Sequence, residues 1–478
     1  MSKRNAIRGI SFLLLTIFLL SGISWLLRDR ETTLSCLYSE EKDSLDVLIV
    51  GSSHVNSGYI PSLLWKENNI SACNVFSWSQ PMWISYHYIK EALKTQSPSV
   101  IVLEMFGMTY GHSSIMPEEI DRTSYQNSFS IDPGLNFLEM IQTVEFCGLD
   151  LRNYEDFLNL PRYHTRWKQL NAEMFSYNPH NDVDPLKGYG LVLTSQAMEQ
   201  PEFSDQAPFT PYEYCVEYLE KITNLCEKEG IQLVFTVTPY VYNETEQGIF
   251  EWIDSYAAEH GIPFLNYNGE DGKRIGFDYS KDLSDWGHLN FYGAQKVTLD
   301  LCEFLKNYEF PSREEHKNYT ELDEHLRYYE RVLEVQPLLT ETDFSNWLKL
   351  VSTDPNLTVF LLNSEQSSLS NTIFSVLSDV GYSLPAESGT AWMMDDGKII
   401  ACDEQISYPL FGTSGTVSFQ MDENQILLNQ MAAPSHGELF SAVVYDKLFD
   451  RPLDSVTMDS DLTLHHREFT SDILNQYR

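Results

Sequence analysis

Three predominantly apolar runs constrain this chain most: LDVLIV at 45–50, SVIVLEMF at 99–106 and the stretch IQLVFTVTPY that begins at Ile231. A strand apolar on both faces must be covered on both faces, which is the situation of an internal strand in a parallel sheet wrapped by helices. The intervening segments ISYHYIKEALK, YEYCVEYLEKITNLCEKEG and GIFEWIDSYAAEHG carry helical periodicity, and ACNVFSW and PFLNYN add two short strands. A last helix starts near Leu289 and ends near Tyr308. Five strands alternating with helices predict an α/β fold, a doubly wound five-stranded parallel sheet. Such sheets place their active residues at the carboxyl ends of the strands.

The 478 residues exceed what one core usually organises. The alternation spans 45–308 and is interrupted by 108–210, a proline-containing segment that reads as an insertion or lid over the sheet. Residues 309–339 read as a polar helix and linker. From 340 to 478 the texture changes to short alternating runs such as LTVFLLNS, GTAWMM, KIIACDE, GTVSFQM and FSAVVYDK, predicting a smaller β-rich C-terminal domain with one helix, SLSNTIFSVLSDVG.

The first thirty residues carry a separate message. Ile10 to Leu27 is nearly uncharged and long enough to cross a bilayer core of about 30 Å. Lys3, Arg4 and Arg8 precede it, whereas Asp29 and Glu31 offset Arg28 and Arg30 behind it. The positive-inside rule then predicts a single-pass transmembrane helix with a cytoplasmic tip (1–30), a tether (31–44) and the remainder outside the membrane. A cleaved signal peptide is the competing reading, but no small-x-small cleavage site follows closely.

A formal net charge of -37 argues against nucleic acid as a partner. The seven cysteines, Cys36, Cys73, Cys147, Cys215, Cys226, Cys302 and Cys402, form no CxxC pair, which removes the zinc-ribbon and redox-motif readings. Their odd number leaves any disulfide pairing open. His112, His180 and His260 show no ligand spacing, so no metal and no cofactor is expected.

Two distant segments fit each other chemically. Gly51, Ser52, Ser53 and His54 close the first strand, offering a serine at a strand-to-helix turn, and Asp285, Trp286, Gly287 and His288 lie just before the last helix. A hydroxyl needs an imidazole to take its proton and a carboxylate to fix the tautomer of that imidazole. The spacing of Asp285 and His288 suits one helical turn. Ser53, His288 and Asp285 are the candidate catalytic residues, and His54 is expected to point away as a structural residue.

These residues resemble the SGNH hydrolase superfamily, the GDSL-like lipases and esterases. VLIVGSSHV resembles its first block and DWGHLNFYG its last. The resemblance covers about 45–308 and implies an SGNH/flavodoxin-like sheet with Ser53 as nucleophile, His288 as general base and Asp285 as its orienting acid. It also exposes departures. Where the family carries a glycine in a second block, this chain has Ser79 and Gln80, and where it carries Gly-x-Asn-Asp, this chain has Glu104. Gly51, Ser79, Gln80 and Glu104 are therefore oxyanion or substrate candidates, joined by His164, Arg166 and Trp167 in the aromatic and basic run of the insertion, PRYHTRWKQL. The missing asparagine removes a donor worth about 10²- to 10³-fold in rate. With the N-terminal anchor, this pattern is similar to the membrane-anchored SGNH-like proteins of cell-envelope polymer O-acylation. That likeness implies an extracytoplasmic esterase or O-acyltransferase acting on acylated carbohydrate or envelope polymer, with a multi-spanning membrane O-acyltransferase as partner. The alternative is a catalytically inactive SGNH-like scaffold that binds glycan or such an acyltransferase.

Overall fold

A computed structural model describes residues 3–27, 34–111, 131, 134–146, 164–169, 183–203, 208–363, 375–382, 391–402, 408–411, 416–422, 425–428, 431–432, 439–448, 451–458 and 463–467. The chain divides into two compact units, Met1–Tyr329 and Glu330–Arg478. The division falls inside a 22-residue helix, Tyr319–Thr340, where the sequence predicted a polar helix and linker.

In the first unit, strands β1 (Val47–Gly51), β2 (Ala72–Phe76), β3 (Val100–Glu104), β4 (Gln232–Val237) and β5 (Phe264–Asn266) form one parallel sheet in the order β2-β1-β3-β4-β5. This is the doubly wound α/β sheet expected. Alternate residues serve opposite faces, as strand geometry requires. Leu48, Val50, Ile101, Leu103, Leu233 and Phe235 share a core with Met82, Tyr88 and Ile89 of the helix Met82–Ala92, Leu219 and Ile222 of Glu213–Glu229, and Ile249 and Ile253 of Glu244–His260. Val47, Ile49, Val100, Val102 and Val234 lie outside that core and are equally buried, so both faces are covered.

The helix boundaries follow local chemistry. Glu244–His260 begins in a capping box between Asn243 and Glu246 and ends at Gly261 with φ 65°, a left-handed conformation that glycine adopts without penalty. After β1 the chain forms the short helix Ser53–Gly58 and then Pro61–Asn68, whose first residue is a proline that the orphan N-terminal amide position tolerates. The final helix runs Phe291–Leu305, two residues later than the sequence suggested, because Asn290 caps it by accepting the Tyr292 and Gly293 amides.

The N-terminal helix spans Lys3–Leu27. Within it, Ile7–Ser24 is long and apolar enough to cross a membrane, with a mean hydropathy of 1.9 and none of that window buried. Just beyond, Cys36 and Cys73 form a disulfide that ties the segment after this helix to the second residue of β2. Cys215, Cys226 and Cys302 are buried outside any disulfide, while Cys147 lies outside the described residues.

The second unit contains a six-stranded antiparallel sheet and a four-stranded one, Tyr408–Phe411, Thr416–Asp422, Gln425–Leu428 and Met431–Ala432. In the larger sheet, Leu357–Asn363 pairs with Phe440–Asp446 and Ala391–Asp395. The hairpin joining Ala391–Asp395 to Lys398–Cys402 turns at Asp396 and Gly397, both at positive φ. One helix was not anticipated here: Phe344–Thr353 packs Phe344, Trp347, Leu348 and Val351 against that sheet, with Phe344 edge-on to Phe440 at 5.0 Å. Of the helix predicted at SLSNTIFSVLSDVG, residues 368–374 lie outside the described residues and 375–379 are helical.

The disulfide closes a 37-residue separation, which by loop entropy contributes about 2–4 kcal/mol. Replacing both cysteines by serine in the full chain should lower its stability to denaturant by that amount. Peptide mapping without reductant should recover Cys36 and Cys73 cross-linked, and free thiols at both positions would contradict the pairing.

Candidate active site

The order β2-β1-β3 makes the chain cross from one side of β1 to the other, so the carboxyl ends of β1 and β3 flank the switch point of the sheet. Ser53 stands there as the first residue of its helix, one position after Ser52, whose hydroxyl caps that helix by accepting the His54 amide at 3.3 Å. The turn needs Gly51 at its base. A Cβ there would lie 2.7 Å from the Glu104 Cβ and 2.8 Å from the Val55 side chain.

His288 and Asp285 come from a closed loop. A bridge between Leu283 and Leu289 and the bond from the Ser284 amide to the His288 carbonyl (2.9 Å) pinch its base, and the Val241 amide holds the Trp286 carbonyl at 2.8 Å. The spacing of Asp285 and His288 does not work through a helical turn, as the sequence suggested. Asp285 instead folds back so that one carboxylate oxygen accepts the amides of Gly287 (2.7 Å) and His288 (2.9 Å), an Asx-type turn.

The imidazole of His288 completes the chain. Its Nδ1 lies 2.9 Å from Asp285 Oδ2 and 3.0 Å from Oδ1, and its Nε2 lies 2.8 Å from Ser53 Oγ. Because a carboxylate only accepts, Nδ1 carries the proton, leaving Nε2 to accept from the serine hydroxyl. Burial pushes the Asp285 carboxyl upward, but the hydrogen bonds from the His288 ring and the Gly287 amide outweigh it and hold the group below the usual carboxylate range.

His54 does not point away. Its ring is 2% exposed, stacks on Phe106 at 4.0 Å and sits 5.6 Å from the His288 ring, with Nδ1 on the Thr238 hydroxyl at 3.0 Å. Burial, with the neighbouring His288, keeps it well below the ordinary histidine range and hence neutral. Nothing in the sequence flagged Thr238.

The remaining candidates separate. Ser79, where the resemblance expects a glycine, adopts φ 50°, the left-handed region that favours glycine. Gln80 is buried with its amide 3.0 Å from the Ser85 hydroxyl. Glu104 is buried against Gly51. His164, Arg166 and Trp167 lie on a single short turn, His164–Gln169. Trp167 is exposed there, and the side chains of His164 and Arg166 lie outside the described residues, as do His112 and His180. Most of the expected lid is likewise undescribed.

No protein-family model matches the sequence, and no curated protein matches it. Among solved structures, the chain is similar to a candidate lipolytic protein of the G-D-S-L family from Desulfitobacterium hafniense, at 10% identity and a TM-score of 0.27, covering 54% of this chain and 98% of that one. It is also similar to a candidate acylhydrolase from Bacteroides fragilis, at 10% identity and a TM-score of 0.28, covering 58% and 97%. At these values the likeness carries no weight, and the fold class rests on the sheet order itself.

The Nδ1–H that His288 donates to Asp285 is deshielded by the carboxylate and should give a downfield proton resonance. Asp285→Asn should abolish it. Gly287→Ala should keep it, since the added Cβ would rest in ordinary contact at 3.7 Å from Asp285 Oδ1.

Proposed function

We propose that this protein is an SGNH-type serine esterase or O-acyltransferase, anchored by its N-terminal helix with the sheet domain outside the membrane, and that it acts on ester-linked acyl groups of cell-envelope or exported carbohydrate. One observation carries the catalytic part of this reading: Ser53, His288 and Asp285 stand in one hydrogen-bonded line, 2.8 and 2.9 Å between successive partners. In that line Ser53 Oγ attacks the acyl carbonyl as His288 Nε2 takes its proton, and Asp285 stabilises the imidazolium that forms. The imidazolium returns the proton to the leaving alcohol as the tetrahedral intermediate collapses to an acyl-serine. Water or a sugar hydroxyl, deprotonated by the same imidazole, then attacks the acyl-serine, and the acyl group leaves as free acid or new ester while the imidazolium returns its proton to Ser53 Oγ. The extracytoplasmic placement is supported by the disulfide, since such bonds persist in oxidising compartments.

A second reading, an idle scaffold that binds glycan or an acyltransferase partner, is favoured by Glu104, a buried carboxyl where the resemblance expects an oxyanion-donating asparagine.

Fluorophosphonate labelling of the detergent-solubilised full chain separates the two. Labelling of the wild type should fall at least 10²-fold in Ser53→Ala and in His288→Ala. Labelling that persists in Ser53→Ala, or is absent from the wild type, would reject the enzyme reading. If labelling holds, p-nitrophenyl acetate turnover with and without an added glycan distinguishes hydrolysis from transfer.

A further inference from the structure

Glu104 ends β3 beside the turn that presents the nucleophile, and three loops converge on it. Its Oε1 accepts the Phe106 amide at 3.1 Å, closing the loop after β3. Ser52, from the turn after β1, and Thr238, from the loop after β4, lie close enough to lower the pKa of its carboxyl electrostatically, while its Oε2 is buried without a hydrogen-bond partner. Each of these loops carries a part of the site: Ser52 precedes Ser53 and caps its helix, Phe106 stacks on His54, and Thr238 binds the same imidazole. Gly51 has no room for a Cβ because the Glu104 side chain fills that space.

We infer that Glu104 is a positioning residue for the proposed acyl transfer: its buried side chain gathers the loops after β1, β3 and β4 and holds Ser53 at the apex of its turn. This rests on the triad reading and adds a residue that the triad does not contain. Its chemistry has a consequence for pH. Among the described residues, the ionisable groups facing it are the phenols of Tyr59, behind the nucleophile helix, Tyr110, beyond the loop after β3, and Tyr240, beyond β4, and none of them offers a positive charge. Burial pushes the Glu104 carboxyl up to about 8, against the opposing pull of the Phe106 amide and of the nearby Thr238 and Ser52 groups. At neutral pH it is therefore chiefly the uncharged acid. Once ionised, it sets a negative charge beneath the turn on which the substrate oxygen becomes negative during attack, and that charge opposes the transition state.

The neutral fraction of a group with a pKa of about 8 falls about tenfold between pH 7 and pH 9. The rate of fluorophosphonate labelling of the full chain should fall by about that factor over the interval, with circular dichroism checking that the protein stays folded. Glu104→Gln keeps the shape without the ionisation and should label within about fivefold of the wild type at pH 7 with no fall to pH 9. Glu104→Ala, which releases the loops, should be slower at every pH, with Gln rescuing it. A wild type that labels equally at pH 7 and 9, or a Gln variant with the same fall, would overturn the inference and leave the triad intact. A wild type that never labels would remove the triad reading and the inference with it.

Discussion

The site depends on one crowded contact, between the backbone of Gly51 and the side chain of Glu104. β1 and β3 are adjacent, with Val50 beside Leu103, so the residues that follow them emerge side by side. Any side chain at 51 would have to push β3 or the Ser53 helix aside. Only hydrogen fits, and the chain can therefore turn sharply enough to lift Ser52 and Ser53 above the strand end. The seat of the nucleophile is fixed by strand pairing before any catalytic group is considered.

The second half of the site is built independently. The loop from Leu283 to Leu289 is closed at its base by a backbone bridge, and Asn290 both caps the following helix and reaches back to the Lys281 carbonyl at 2.6 Å. Asp285 accepts two amides of its own loop as well as the imidazole. A carboxylate held in this way is oriented by the loop backbone and not by the imidazole alone. The serine and the histidine thus belong to two separately rigid pieces, which the sheet brings to one edge.

Much of this was legible in the sequence because long apolar runs leave few choices. LDVLIV and VIVLE had to be internal strands, and a serine at the end of one of them had to stand at the carboxyl edge. What was not legible depends on contacts between distant residues. The helix Phe344–Thr353 was hidden by its place in a β-rich stretch, although Asp343 as cap and apolar residues at 344, 347, 348 and 351 carried its signature. His54 was misplaced because adjacency along a chain says little about direction at the start of a helix, where successive side chains diverge by about 100°. Asp285 reaches His288 through a turn whose bonds are local, yet three-residue spacing alone cannot distinguish a turn from a helix. Glu104 was visible only as a departure from a family pattern, and its burial and partners follow from the register of β3 against β1 and β4.

The disulfide also sets a length. Eight residues lie between the end of the apolar helix at Leu27 and Cys36, and Cys36 is fastened to the sheet. Fully extended, that stretch reaches at most about 30 Å. With the helix in a bilayer, as proposed, Cys36 could stand no further from the membrane surface than that leash allows. A tethered domain of this kind meets polymer that passes close to the lipid headgroups more readily than polymer in the outer wall, so proximity alone would select among chemically identical hydroxyls.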